Sequence, residues 1–139
     1  MDHAKQFETT LKKHHERLSS ARWAIFKTLT RKAPIAIPAF VAEMQKIAID
    51  PATTYRNIKL FRELNILRDI GTGNRRMIEL SDAFDAHHHH FWCRACHAFI
   101  DFDSHEVETS LRTVATQLGV EITSHHLELS GLCQDCRVL

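Results

Sequence analysis

The chain has 139 residues, 18 Lys+Arg against 17 Asp+Glu, a formal net charge of +1 and a 44% hydrophobic share. That fits one domain or two very small ones of an ordinary globular protein and excludes collagenous and disordered classes. No apolar run approaches the roughly 18 residues of a membrane span, and Met1 to Leu11 carry charges throughout, so the expectation is a cytoplasmic chain with no membrane partner. A balance near zero argues against nucleic acid only until it is split by position. Met1 to Leu80 holds 15 Lys+Arg and 8 Asp+Glu, a surplus of +7, whereas Ser81 to Leu139 holds 3 and 9, or −6. All four Cys and eight of the 11 His lie in the acidic part. Positive charge is concentrated in one half and metal-ligating chemistry in the other.

In chain order, Ser19-Ser20 offers a cap before a helix carrying Trp23, Ile25, Phe26, Leu29 and Thr30, predicted to end near Lys32. Pro38 suits the first turn of a second helix running to about Lys46, with Phe40, Val41 and Met44 as its apolar stripe. Asp50-Pro51 starts a third, to about Leu64, because Asp accepts from a free first-turn amide and Pro has none to leave unpaired. At about 100° per residue, Thr54, Ile58, Phe61 and Leu64 face inward, and Ala52, Tyr55, Arg56 and Lys59 share the opposite face. Short β-like runs at Leu67 to Ile70 and Arg76 to Leu80 flank Gly71-Thr72-Gly73-Asn74, a hairpin that also carries Arg75 and Arg76. Three helices and a basic hairpin outline a winged helix-turn-helix, whose third helix would present Tyr55, Arg56 and Lys59 to a major groove.

The second half opens with His87 to His90, followed by strands at Phe91-Trp92 and Phe99 to Phe102 around Cys93-x-x-Cys96. Ser104 caps a helix with Val107, Leu111, Val114 and Leu118 on one face, Gly119 ends it, and Val120 to Leu129 reads as a last strand before Cys133-x-x-Cys136. Two C-x-x-C pairs with no Cys left over point to one tetrahedral structural zinc, bound by Cys93, Cys96, Cys133 and Cys136. The whole chain thus reads as α+β, and its small C-terminal α/β piece has a poor core of its own, so zinc and self-association are its expected supports. Strand alternation sends His88 and His90 one way and His87 and His89 the other. Asp101 and Glu108 are oxygen-ligand candidates, and spacing does not choose between His125 and His126.

This order of motifs resembles the ferric uptake regulator family of metal-dependent bacterial repressors. The resemblance rests on Arg22 in Ser19-Ser20-Ala21-Arg22, Ala52-Thr53-Thr54-Tyr55-Arg56, His87 to His90 with Cys93-x-x-Cys96, Ile100-Asp101-Phe102, Ser124-His125-His126 and Gly131-Leu132-Cys133-x-x-Cys136. It implies a winged-helix DNA-binding domain over 1–81, a hinge at 82–86 and a dimerisation and metal-binding domain over 87–139. It implies a homodimer on a double-stranded, AT-rich palindromic operator. The junction site of the family falls on His88, His90, Asp101 and an acid at the end of the wing, Glu79, with Asp82 and Asp85 as alternatives; the second site falls on His87, His89, Glu108 and His125. Arg17 matches a minor-groove cation, and Tyr55 and Arg56 match major-groove contacts. The family's frequent His in the stretch matching Lys32 to Ile37 is missing here. Asp101 is the residue type common in the family's peroxide sensors. Iron-responsive repression is the first expectation, with Fe(II) as regulatory metal. Peroxide sensing, a Zn- or Mn-responsive repressor, a metal-independent DNA-binding protein and a zinc hydrolase are the alternatives.

Overall fold

The computed structural model describes residues 2–30, 33–71 and 76–138. The chain divides into two compact units, Met1–Ala86 and His87–Leu139.

The N-terminal unit opens with a helix absent from the expectation, α1 (His3–Lys13), capped by the Asp2 carboxylate on the amides of Ala4 and Lys5. Its few apolar residues, Phe7 and Leu11, sit one turn apart and are fully buried. The Phe7 ring stacks on Phe26 at 4.0 Å and meets Phe61 edge-on at 5.3 Å. Helix α2 (Ser20–Leu29) begins where Ser19 accepts from the Arg22 amide, as predicted, and its last helical residue is Leu29; Arg31 and Lys32, at the predicted end, lie outside the described residues. A short strand β1 (Ile35–Ala36) leads into α3 (Ile37–Lys46), which buries Phe40, Val41 and Met44. Ala48 turns the chain in the left-handed region (φ 63°), Ile49 is buried beneath it, and α4 (Pro51–Glu63) follows with Asp50 as its cap. Strands β2 (Leu67–Ile70) and β3 (Met77–Leu80) form an antiparallel wing in register Leu67↔Leu80 to Ile70↔Met77, with β1 on the other side of β3. The wing tip, including Arg75, lies outside the described residues.

Residues 82–86, read from sequence as a hinge, belong to the N-terminal unit. Phe84 is buried edge-on against Phe26, the Ser81 hydroxyl donates to the Asn65 carbonyl at 2.6 Å, and the Gln6 amide donates to the Ala83 carbonyl.

The C-terminal unit is a three-stranded sheet in the order β5-β4-β6, with β4 (His89–Cys93) central, β5 (Phe99–Phe102) antiparallel and β6 (Glu128–Gly131) parallel to it. Helix α5 (His105–Leu118) has the predicted Ser104 cap and ends, as predicted, at Gly119, which the structure shows to be left-handed (φ 66°). The expected strand over Val120 to Leu129 is corrected: only Glu128 onward pairs, starting at His90↔Glu128. Residues before Leu127 would lie opposite chain that has not yet entered β4, so no ladder is available to them.

Candidate metal centres and nucleic-acid face

Cys93 ends β4, Cys96 lies in the turn after it, and Cys133 and Cys136 follow β6, whose parallel pairing brings Gly131 beside Cys93. The four sulfurs lie within 4.8 Å of one another, and Cys96 Sγ to Cys133 Sγ is 3.8 Å. A tetrahedron with Zn–S bonds of about 2.3 Å has edges of about 3.8 Å, so the set has the size of a zinc site and not of a disulfide. The amide of Cys133 donates to Cys93 Sγ at 3.4 Å. This and other backbone N–H groups hold the Cys93 thiol down to about 6, against its burial. Cys136 is pushed up to about 12, first by the neighbouring Cys133 and then by burial. One thiolate is thus ready at neutral pH and the crowding of the others favours a cation among them.

A second cluster uses the other nitrogen-rich face. His87 and His89 meet Glu108, from the first turn of α5, and His125, from the chain after it. Glu108 Oε1 is 2.7 Å from His89 Nε2, 3.1 Å from His87 Nε2 and 3.2 Å from His125 Nε2, and the two nitrogens of His87 and His125 are 3.1 Å apart. Ligand bonds of about 2.0–2.1 Å to zinc require edges near 3.3 Å, so the four donors fit one ion. The bond from His89, opposed by burial and assisted by His87 and His125, holds the Glu108 carboxyl at about 2. The structure here separates what spacing left open: His125 joins this cluster.

On the opposite face of the segment, the rings of His88 and His90 lie edge to face with centroids 4.7 Å apart. Asp101 stands across the ladder from His90, and its carboxylate is 2.8 Å from His90 Nδ1. Such a bond fixes ring orientation and leaves His90 Nε2 and the second carboxylate oxygen of Asp101 for a metal. Glu79, in the N-terminal unit, has a side chain only 5% exposed and pairs with Arg68 at 2.7 Å; the same guanidinium holds Asp82 at 3.0 Å, and Asp85 accepts from the Ala86 amide.

In that unit Tyr55, Arg56 and Lys59 are exposed on α4 and Arg17 is exposed in the loop before α2. Thr54, Ile58 and Phe61 are buried on the opposite side, with Asn57 as a further buried member that the expected stripe omitted. The start of α4 is tightly bonded. The Thr53 hydroxyl donates to Asp50 Oδ1 at 2.6 Å and accepts from Arg56 Nη2 at 3.2 Å, which steadies the guanidinium along the helix. The Thr53 hydroxyl and amide together hold the Asp50 carboxyl below its ordinary range.

No described helix is long and apolar enough to cross a membrane. Residues 16–130 match the profile of the Ferric uptake regulator family. The chain is 29% identical over 133 residues to the peroxide operon regulator of Bacillus subtilis, covering 91% of this chain and 88% of that protein. To the ferric uptake regulation protein of Campylobacter jejuni it is 26% identical over 137 residues, covering 94% and 86%. Its fold matches the Helicobacter pylori ferric uptake regulator, a protein with three functional metal binding sites, at a TM-score of 0.80 and 19% identity, covering 97% of this chain and 91% of that one. With the profile spanning both units, the chain belongs to the ferric uptake regulator family of metal-responsive transcriptional regulators.

Proposed function

We propose that the chain is an iron-responsive cytoplasmic repressor that binds AT-rich palindromic operators as a homodimer. The observation that carries this reading is the single segment His87 to His90, which feeds imidazoles to both of its faces beside Asp101 and Glu108. In it, zinc is held by Cys93, Cys96, Cys133 and Cys136, and the second site by His87, His89, Glu108 and His125. Glu79 joins His88, His90 and Asp101 at the regulatory ion, with the acids Asp82 and Asp85 as its alternatives. These ligands, drawn onto one ion, would fix the angle between the two units around the Ala86–His87 connection. Two recognition helices would then meet successive major grooves without first losing orientational freedom.

A homodimer is supported by apolar side chains that the C-terminal unit leaves exposed: Val114 (42%) and Leu118 (68%) on α5, then Val120 and Ile122 after it. The basic N-terminal part, with Arg17, Tyr55, Arg56 and Lys59, faces DNA. Arg56→Ala should weaken operator binding by about 1–3 kcal/mol if the guanidinium forks onto a base, and the loss should shrink when that base pair is changed.

Titrating Fe(II), Mn(II) and Zn(II) into the His88→Ala/His90→Ala variant while operator binding is followed tests the regulatory site. The expected result is wild-type zinc content with operator affinity that no longer rises with metal; an undiminished rise would remove these residues from the site. Peroxide sensing is the second reading, favoured by Asp101 and by the likeness to the Bacillus subtilis regulator. Loss of operator binding on exposing the Fe(II) form, but not the Mn(II) form, to peroxide would replace the first reading with it.

A further inference from the structure

We infer that Arg22 is a positioning residue that locks the loop carrying Arg17 to the turn of α4 carrying Tyr55 and Arg56, so that minor- and major-groove contacts act as one rigid unit. The inference rests on the DNA-facing role proposed for Arg17 and α4. Arg22 is 35 residues from its partner on α4, and its guanidinium makes three bonds. Its Nε donates to Asn57 Oδ1 at 2.9 Å, and its Nη1 donates to Glu16 Oε2 at 3.1 Å and to the Arg17 carbonyl. Asn57 in turn donates from Nδ2 to the Thr53 carbonyl at 2.9 Å, one turn back along α4. Backbone and side chain are both fixed, because the Arg22 amide donates to the Ser19 cap at 3.1 Å.

The path Glu16–Arg22–Asn57–Thr53 is thus continuous, and it joins a loop to a helix across the interior of the N-terminal unit. Asn57 is buried and the Arg22 side chain is 19% exposed, so the bond between them is shielded from competing water, while the bonds to Glu16 and the Arg17 carbonyl lie toward the surface. The planar fork of Arg suits three acceptors in fixed directions, whereas Lys offers one rotatable point charge. Neither Arg22 nor Asn57 projects with Tyr55 and Arg56, so the effect on DNA must pass through Arg17. An arginine entering a minor groove gains from its narrow width only if the backbone that carries it is held at the correct distance from the major-groove helix.

The experiment uses the full-length, metal-loaded protein and the duplex that the wild type selects from a random-sequence library. A second duplex replaces adenine by 2-aminoadenine, which adds an amino group in the minor groove and leaves the major-groove edge unchanged. Wild type should lose about tenfold in affinity on this change. Arg17→Ala should bind the ordinary duplex about tenfold less tightly and show almost no further loss. Arg22→Gln and Arg22→Lys, with wild-type zinc content, should resemble Arg17→Ala and not wild type.

A purely supporting role for Arg22 would lower affinity while leaving the full tenfold 2-aminoadenine penalty, and that result overturns the inference. Should leaving Asn57 unpaired prevent folding, Glu16→Gln at the rim of the network provides the test: its penalty should fall by about two- to threefold, and an undiminished penalty is equally fatal. If Arg17→Ala changes nothing, the proposed role of Arg17 fails and this inference with it. If Arg17→Ala behaves as stated and the Arg22 and Glu16 variants do not, only the inference fails.

Discussion

Cys96→Ser should empty the zinc site and unfold His87–Leu139 while leaving the helices of the N-terminal unit in place. The core of the C-terminal unit is too small to do otherwise. Among its described residues the buried apolar ones are Trp92 and Cys93, and α5 buries none of its side chains within the chain. A unit of roughly 50 residues with so little interior usually needs a metal, a disulfide or a partner. Structural zinc in small domains supplies roughly 10–16 kcal/mol of apparent binding energy, all of it folding energy when the site forms only on folding. Losing one thiolate of four should therefore exceed the stability the unit has from packing. The readouts are zinc per chain, loss of sheet signal in circular dichroism and a change in fluorescence from Trp92, which lies against Phe99 at 4.6 Å. A strong chelator should reproduce all three in the unaltered chain. Zinc binding should also release protons, because Cys96 and Cys136 are held protonated above the ordinary thiol range whereas Cys93 is already lowered to about 6. Lowering the pH therefore weakens zinc binding, since protons compete for the same sulfurs. Full zinc retention and unchanged unfolding in Cys96→Ser would remove these residues from a structural role.

Which features were legible beforehand follows from how local their causes are. The caps at Ser19, Asp50 and Ser104 and the left-handed Gly119 are decided within a few residues, and each stands where spacing placed it. Helix α1 was not legible because Lys5, Glu8, Lys12 and Lys13 hide an apolar face of only two buried residues, Phe7 and Leu11. Strand β1 is two residues long and exists through pairing with β3, 43 residues away by Ile35↔Ile78. The link from Arg22 to Asn57 is likewise a matter of tertiary placement, and no periodicity announces it.

The C-terminal unit shows the same division. Alternation along His87 to His90 was readable because two faces of one extended segment follow from backbone geometry alone. The position of His125 was not, since it lies on a non-strand stretch that the pairing of β6 leaves free. The stripe Val107, Leu111, Val114 and Leu118 is a correct helical face, yet its outer members are exposed. Apolar periodicity says that a face must be covered and does not say which chain covers it. The opposed charges of the two halves fit this arrangement, with the basic unit toward phosphates and the acidic one toward cations.

His89→Ala should lower divalent-metal affinity at the His87, His89, Glu108 and His125 cluster by more than the roughly 10–100-fold that loss of an outer-shell partner costs. Its side chain is 1% exposed and its Nε2 makes the shortest bond to Glu108, at 2.7 Å. With free metal at about 100 times the dissociation constant, the wild type gains about 2.7 kcal/mol of stability from binding. A hundredfold weaker site at the same metal concentration retains about 0.4 kcal/mol by the same relation, so the metal-induced rise in melting temperature should almost vanish. A second effect should be visible without metal. Glu108 is held at about 2, first by His89, against an ordinary value of 4.5. A carboxyl lowered on folding stabilises the native state fully above its unfolded value, and this stabilisation is lost as pH falls from there toward about 2. Removing His89 raises the folded value, so the metal-free variant should begin to unfold in acid at higher pH than the wild type. Zinc at the four cysteines should be unaffected, which separates a local loss from collapse of the unit. Metal affinity and acid stability both equal to wild type would show that these four side chains meet for reasons other than metal.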